Sequence, residues 1–460
     1  MTVFASLIGG LLFAIILYSF VAFRLTKLKR LQMIDWFLLS LATFNGLGFA
    51  FVLWSTFGGR NSYTWTHRII QYDAITVLQY LSSNLILAFA VLTGWYISIA
   101  LTNKYRHQKP SVLNYSLLIR NRKRFTIVAW IMVSIAILAY SIYTRPYGGV
   151  IGILKYSRAI RAGVFFVNNP YSFLKRFGGF AFFASYIFLG LILDTKKEKV
   201  ARKNYHIGFC LSFVFSLYIN YEWLGRLTVA TYFLTLILGY ILYNYKTVFG
   251  LVRKGFIFIV SALFVTIGAD RILEGTNHKI GIIELFASEL SFPFASYIIQ
   301  NDYYQFRWFK DVIVAPLFVL PERIWSGIFN IEPASSYNTL IVAGARKGEG
   351  GVSGSIPLDM LTFGHLQGSI IGILFIGIIF GCFLFFLEKR IDKLPVKGVK
   401  SVIYANVVLN IAIFSVLYGD TQHIIIRNFP LIGGSLLIWF ILKFNIKRNK
   451  FRSTSIIQDK

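Results

Sequence analysis

Acidic residues are scarce in this chain: 19 Asp and Glu stand against 47 Lys and Arg in 460 residues. No Asp-x-Asp or similar cluster occurs in the polar connections, so nothing demands a divalent metal. The two cysteines, Cys210 and Cys382, both fall inside apolar runs, which excludes a disulfide framework and a thiolate metal site. Six histidines are too few and too scattered to argue for zinc. No cofactor motif survives inspection either. Gly348-x-Gly350-Gly351-x-x-Gly354 lacks the strand and helix that a dinucleotide fingerprint requires, and 344–347 lacks the Gly-Lys-Ser/Thr core of a phosphate loop. Internal repeats are missing, as are the paired interrupted apolar segments that mark inverted-repeat transporters. Neither metal nor cofactor is expected.

What is abundant is apolar surface. The chain is 56% hydrophobic and 17% aromatic, with mean hydropathy +0.63. Uncharged runs near membrane-spanning length predict an all-α polytopic integral membrane protein. About eleven spans are legible, at 2–23, 34–57, 75–101, 125–144, 178–194, 207–220, 227–244, 255–269, 369–387, 401–418 and 428–443. The first lacks a basic stretch before it and a small-residue cleavage site after it, so it reads as a retained span. Alternate connections carry 30 of the 47 basic residues with 6 acidic ones, a net +24, which leaves +4 for the rest of the +28. This asymmetry places the basic side in the cytoplasm, the N-terminus outside and the C-terminus inside. The basic clusters suit anionic lipid headgroups, and no nucleic-acid partner is needed.

On this topology residues 1–460 form a single transmembrane domain with two outward loops, 145–177 and 270–368. The first loop predicts a short helix over 155–163, with Lys155, Arg158 and Arg161 on one side. These cations either snorkel to headgroups or form an anion-binding patch. A tight outward turn at 220–226 holds Glu222 and Arg226 four residues apart, as a structural clasp or as part of a site. The long loop opens with an apolar stretch, 280–299, read as helix lying along the membrane. It ends in the glycine-rich, charged segment 344–359, which runs straight into the span at 369–387. The four-residue spacing of Gly364, Gly368 and Gly372, and of Gly377 and Gly381, predicts close helix packing.

The outward face therefore gathers Arg158, Arg161, Arg226, Arg271, Arg323, Arg346 and Arg427, with Lys155 and Lys347. Arginine holds phosphate bidentately and stays charged at any working pH. Gly350 and Gly351 let backbone N–H groups approach an anion closely. Glu349, Asp359 and His365 are candidates for general acid–base work. Together they imply an amphipathic substrate with a diphosphate between lipid and sugar, and a glycosyl transfer in which lipid diphosphate departs.

The chain resembles the Wzy-type O-antigen polymerases. The resemblance is carried by Tyr147-Gly148-Gly149 with Tyr156 to Gly163, by Leu224-Gly225-Arg226-Leu227, and by Gly350-Gly351 through Pro357 and Phe363-Gly364 to Gly368. The acidic residue that the family carries just before its aromatic–Gly pair stands here at Asp359, four residues before Phe363. The resemblance implies a GT-C-like glycosyltransferase of the bacterial inner membrane. It would join undecaprenyl-diphosphate-linked oligosaccharide repeat units at the outer face, with a chain-length regulator as partner. It also implies roles in the site for Arg158, Arg161 and the late-loop charges. An O-antigen ligase shares that donor and would use His365 as base. A lipid-linked oligosaccharide flippase would instead favour charges along the spans and short loops on both sides.

Overall fold

The computed structural model describes residues 2–51, 73–103, 115–162, 167–195, 199–245, 250, 253–255, 282–303, 305–349, 352 and 355–441. No strand occurs among the described residues. Eight helical segments are long and apolar enough to cross a membrane, and a ninth arises if two helices bent by 58° are taken together. This follows from solvation: in lipid, every backbone N–H and C=O must find its partner within the segment. The chain is a polytopic helical membrane protein.

In order, the helices are α1 (Thr2–Leu28), α2 (Met33–Leu41), α3 (Ala74–Asn103), α4 (Tyr115–Thr144) and a short α5 (Ser157–Ala162). Then come α6 (Phe180–Asp194), α7 (Lys199–Trp223), α8 (Arg226–Asn244), α9 (Ile282–Tyr303) and α10 (Ala334–Ala343). The chain closes with α11 (Met360–Asp392), α12 (Lys397–Val407), α13 (Thr421–Arg427) and α14 (Phe429–Ile441). The expected span at 207–220 lies within α7, which is not among the eight. The expected span at 255–269 lies outside the described residues.

Glycine sets the closest helix contacts, as the spacing of Gly377 and Gly381 predicted, whereas Gly364 and Gly372 meet only α11 itself and Gly368 meets nothing within 4 Å. A Cβ on Gly381 of α11 would sit 2.0 Å from the Val91 carbonyl of α3, and one on Gly94 of α3 would sit 2.0 Å from the Ile378 carbonyl. Only glycine at both places lets these backbones touch. Helix α11 is broken at Gly368–Ser369, where Ser369 takes φ 54, a left-handed conformation that is strained for a residue bearing a Cβ. Its first segment is held from outside: Arg307 N–H donates to the Leu366 carbonyl at 2.8 Å and Gln367 donates to Asp311 at 2.9 Å. Arg307 grips the same buried Asp311 through two nitrogens, at 2.6 and 2.8 Å.

The stretch read as lying along the membrane behaves differently. Helix α9 buries Phe294, Ala295 and Tyr297 in the main core, and packs on α3, α10 and α11. Its polar residues are partnered there. Gln300 donates to Asn338 of α10, and the Tyr297 hydroxyl lies 2.9 Å from that of Ser83 on α3.

At the Lys/Arg-rich end of the bundle, buried carboxylates receive the cations. Arg24 meets Asp35 at 2.6 Å and also donates to Gln32 and Tyr96. Glu388 accepts the Met33 N–H at 2.7 Å and faces Arg30. Asp194 receives Arg122 and the Gly398 N–H.

Candidate functional site

At the opposite end of the bundle lies a cavity of about 1110 Å³. Three outward segments meet over it: Ile160 and 167–170 from the first loop, 321–323 from the long loop, and Ser355 at the end of the glycine-rich stretch. Its walls descend between helices, through Phe183 and Tyr186 of α6, Thr231 and Tyr232 of α8, Asn406 of α12, and Asn410 just beyond α12. The mouth is aromatic, with Tyr143, Tyr147, Phe173 and Trp223.

Four cations line it: Lys175, Arg176, Arg323 and Arg427. Lys175 leans on Glu222 at 3.4 Å, and Glu222, buried below the cavity, also accepts from the Tyr140 hydroxyl. Arg176 donates to the carbonyls of Phe318 and Leu320 at 3.0 and 3.1 Å, which ties α6 to the long loop. Those carbonyls satisfy its hydrogen bonds without cancelling its charge. Arg427 donates to Asn410 at 3.0 Å and Thr231 at 3.3 Å, and lies over the rings of Phe414 and Tyr418. Among the described residues, Arg176, Arg323 and Arg427 have no carboxylate within ion-pair distance, although the charge of Glu322 acts on Arg176. A guanidinium held by neutral groups in a concave, partly apolar setting is suited to an incoming anion.

Helix α13 presents the remaining polar wall. Asp420 caps it by accepting the His423 N–H at 2.6 Å, so Asp420, His423 and Arg427 fall along one face. His423 and Gln422 both line the cavity. Burial acts to raise the Asp420 carboxyl, but the facing His423 and the hydrogen bonds it donates hold it below the usual carboxylate range.

Of the residues expected from sequence, Arg323 and Arg427 line the cavity with described side chains. Arg158 is exposed on α5, and Arg161 donates to the Leu224 carbonyl at 2.7 Å. Arg346 pairs with Glu332 at 3.1 Å, and Glu349 accepts the Arg346 N–H in the same turn. Lys347 is exposed, close enough to Lys175 for the two charges to repel. The side chain of Arg226, and Arg271, Gly350 and Gly351 entirely, lie outside the described residues. Asp359 is fully buried as the N-cap of α11. It accepts the Thr362 N–H at 3.2 Å, and its second oxygen is unpartnered. Burial pushes this carboxyl up to about 7. His365 sits in a separate niche against Tyr297 and Phe306. None of Glu349, Asp359 and His365 lines the large cavity.

Two glycines shape the loop above. Gly344, at φ 76, ends α10 with its N–H on the Leu340 carbonyl, and Gly348, at φ 91, donates to Val352. These left-handed turns set the loop's course back toward α11.

Sequence reasoning passed over Lys175 and Arg176 because cations just before a span read as headgroup contacts. Arg427 and His423 did carry a signal: Asp420, His423 and Arg427 recur at three- and four-residue spacing, a helical face on a short polar segment. No family model matches the chain, and neither a curated protein nor a solved structure is similar to it.

Proposed function

We propose that the protein is a membrane glycosyltransferase that binds a lipid-diphosphate-linked glycan in this cavity and elongates it, as the polymerase resemblance implies. The observation that carries the reading is the set of guanidinium groups, Arg176, Arg323 and Arg427, gathered around a cavity of about 1110 Å³ with Glu322 as the one lining carboxylate among the described residues. A diphosphate supplies the missing negative charge. The aromatic mouth offers flat faces to sugar rings, and the walls reach far enough between helices to receive the first units of a lipid. Charge developing on the departing diphosphate would be met by preoriented donors, the arrangement that lowers such barriers most.

On this reading the spans number eleven. The eight helices, the bent pair α13–α14, α7 and the apolar segment 255–269 make up that count in a GT-C-like plan. The basic end faces the cytoplasm of a bacterial inner membrane and the cavity faces outward. The substrate is an undecaprenyl-diphosphate-linked repeat unit, and the product is O-antigen or capsular polysaccharide.

One gel tests this. A strain lacking the protein should make surface lipid bearing a single repeat unit and no ladder. Loss of every surface sugar would favour a flippase, and a ladder that accumulates without transfer to its final acceptor would favour a ligase.

A further inference from the structure

The cavity contains a histidine whose tautomer is set by its surroundings. Asp420 is 1% exposed, and its two oxygens divide their work. Oδ1 accepts the His423 backbone N–H at 2.6 Å, and Oδ2 lies 3.0 Å from His423 Nδ1. Ser335 adds a further hydrogen bond to the carboxylate. A carboxylate only accepts, so Nδ1 carries the hydrogen, and in the neutral ring Nε2 keeps its lone pair. A backbone cap alone would use one oxygen; the second is spent on orienting the ring. The titratable groups that act on or touch this ring are Asp420 on its own turn, Arg427 one turn on, and Tyr418, whose ring centroid lies 6.0 Å away; Glu322 and Arg323 share the cavity lining. Glu322 is the single carboxylate among the cavity-lining residues, and it is exposed at the rim. His423 is thus the buried-side base available to a hydroxyl beside the Arg427 guanidinium.

We propose that His423 is the general base for glycosyl transfer in this cavity and that Asp420 is its positioning residue; the proposal rests on the glycosyltransferase reading above. Nε2 removes the proton from the acceptor sugar hydroxyl while that oxygen forms its bond to the donor anomeric carbon. The bond from that carbon to the diphosphate oxygen breaks, and the lipid diphosphate leaves with the electron pair. The proton on the imidazolium then passes to the diphosphate or to water, and the histidine returns to its resting form.

The test uses the full chain in lipid nanodiscs and lipid-linked repeat units extracted from a strain lacking the protein. Chain elongation is followed from pH 5 to 9, and farnesyl diphosphate binding is measured by calorimetry. For His423→Gln we expect elongation to fall on the order of 10²–10⁴-fold. The acid limb of the wild-type pH profile should vanish, and the farnesyl diphosphate Kd should stay within about twofold. Asp420→Asn keeps a good N-cap, so it should retain binding and lose rate with a displaced acid limb. Elongation by His423→Gln at the wild-type rate, or a mutant profile that keeps the same acid limb, would overturn the inference and leave the glycosyltransferase reading intact. A wild-type protein that binds farnesyl diphosphate but elongates nothing overturns that reading and this inference with it.

Discussion

The two ends of the bundle hold their arginines differently, although Lys175 at the cavity end leans on the buried Glu222. At the basic end Arg24, Arg30, Arg122 and Lys400 each meet a carboxylate of the same chain, and Asp35 and Glu388 are buried to receive them. At the cavity end Arg176 is held by two carbonyls and Arg427 by an amide, a hydroxyl and aromatic rings. A buried ion pair completes itself. A guanidinium fixed by neutral groups has its geometry set while most of its charge is left uncancelled. The first arrangement locks helices together; the second is the one the proposed anion site relies on.

Substitutions should separate the two. The largest effect is expected from Arg24→Ala, which leaves Asp35 charged and unpaired in the interior and should cost about 3–5 kcal/mol. Thermal unfolding in detergent reads this loss. Replacing Arg24 and Asp35 together by leucine should recover most of it, and failure to recover would mean that the pair does more than complete itself. Next in size, Arg427→Gln should cut elongation on the order of 10²–10³-fold and weaken farnesyl diphosphate binding. Its unfolding temperature should not fall, because the lost charge had no carboxylate to neutralise it. A large drop in that temperature would put Arg427 with the structural cations instead.

A smaller effect concerns Asp359, whose carboxyl burial raises to about 7. Its unfolded counterpart titrates near 3.9, so the folded state holds the proton more tightly. Stability from this group is complete below about pH 4, is lost as the pH rises through about 7, and is flat above. Asp359→Asn keeps the helix cap and should flatten that slope in melts taken from pH 4 to 8; an unchanged slope would assign it to another group. Smallest of all should be Arg346→Ala. Its partner Glu332 is a surface residue, and exposed pairs contribute about 0–1 kcal/mol. Elongation within twofold of wild type would agree with its place outside the cavity, whereas loss of elongation would restore it to the site.

Much of the fold could be read without coordinates. Uninterrupted apolar runs mark the helices, since lipid leaves the backbone no other partner, and Gly377 and Gly381 announce a close neighbour. The site was harder. Arg158, Arg161 and Arg346 lie in segments expected to share one compartment, yet the fold does not bring them to one cavity. Arg161 found a carbonyl and Arg346 a glutamate. Lys175 and Arg176 looked like the flanking charges of any span, and only the tertiary partners, the Phe318 and Leu320 carbonyls for Arg176 and Glu222 for Lys175, show where they are held. Helix α9 shows the same limit: its apolar stretch was legible, but the partners of Gln300 and Ser296 on α10, 38 and 42 residues away in sequence, were not.

By itself, then, the sequence determined the solvent, the helical class and the charge asymmetry between the two ends, because these depend on composition and on local backbone hydrogen bonding. The tertiary structure alone decided which cations meet carboxylates and which remain free for a ligand. That choice is made where segments distant along the chain come within hydrogen-bonding reach, as Arg176 does with Phe318 and Arg427 with Thr231, and no periodicity along the chain encodes it.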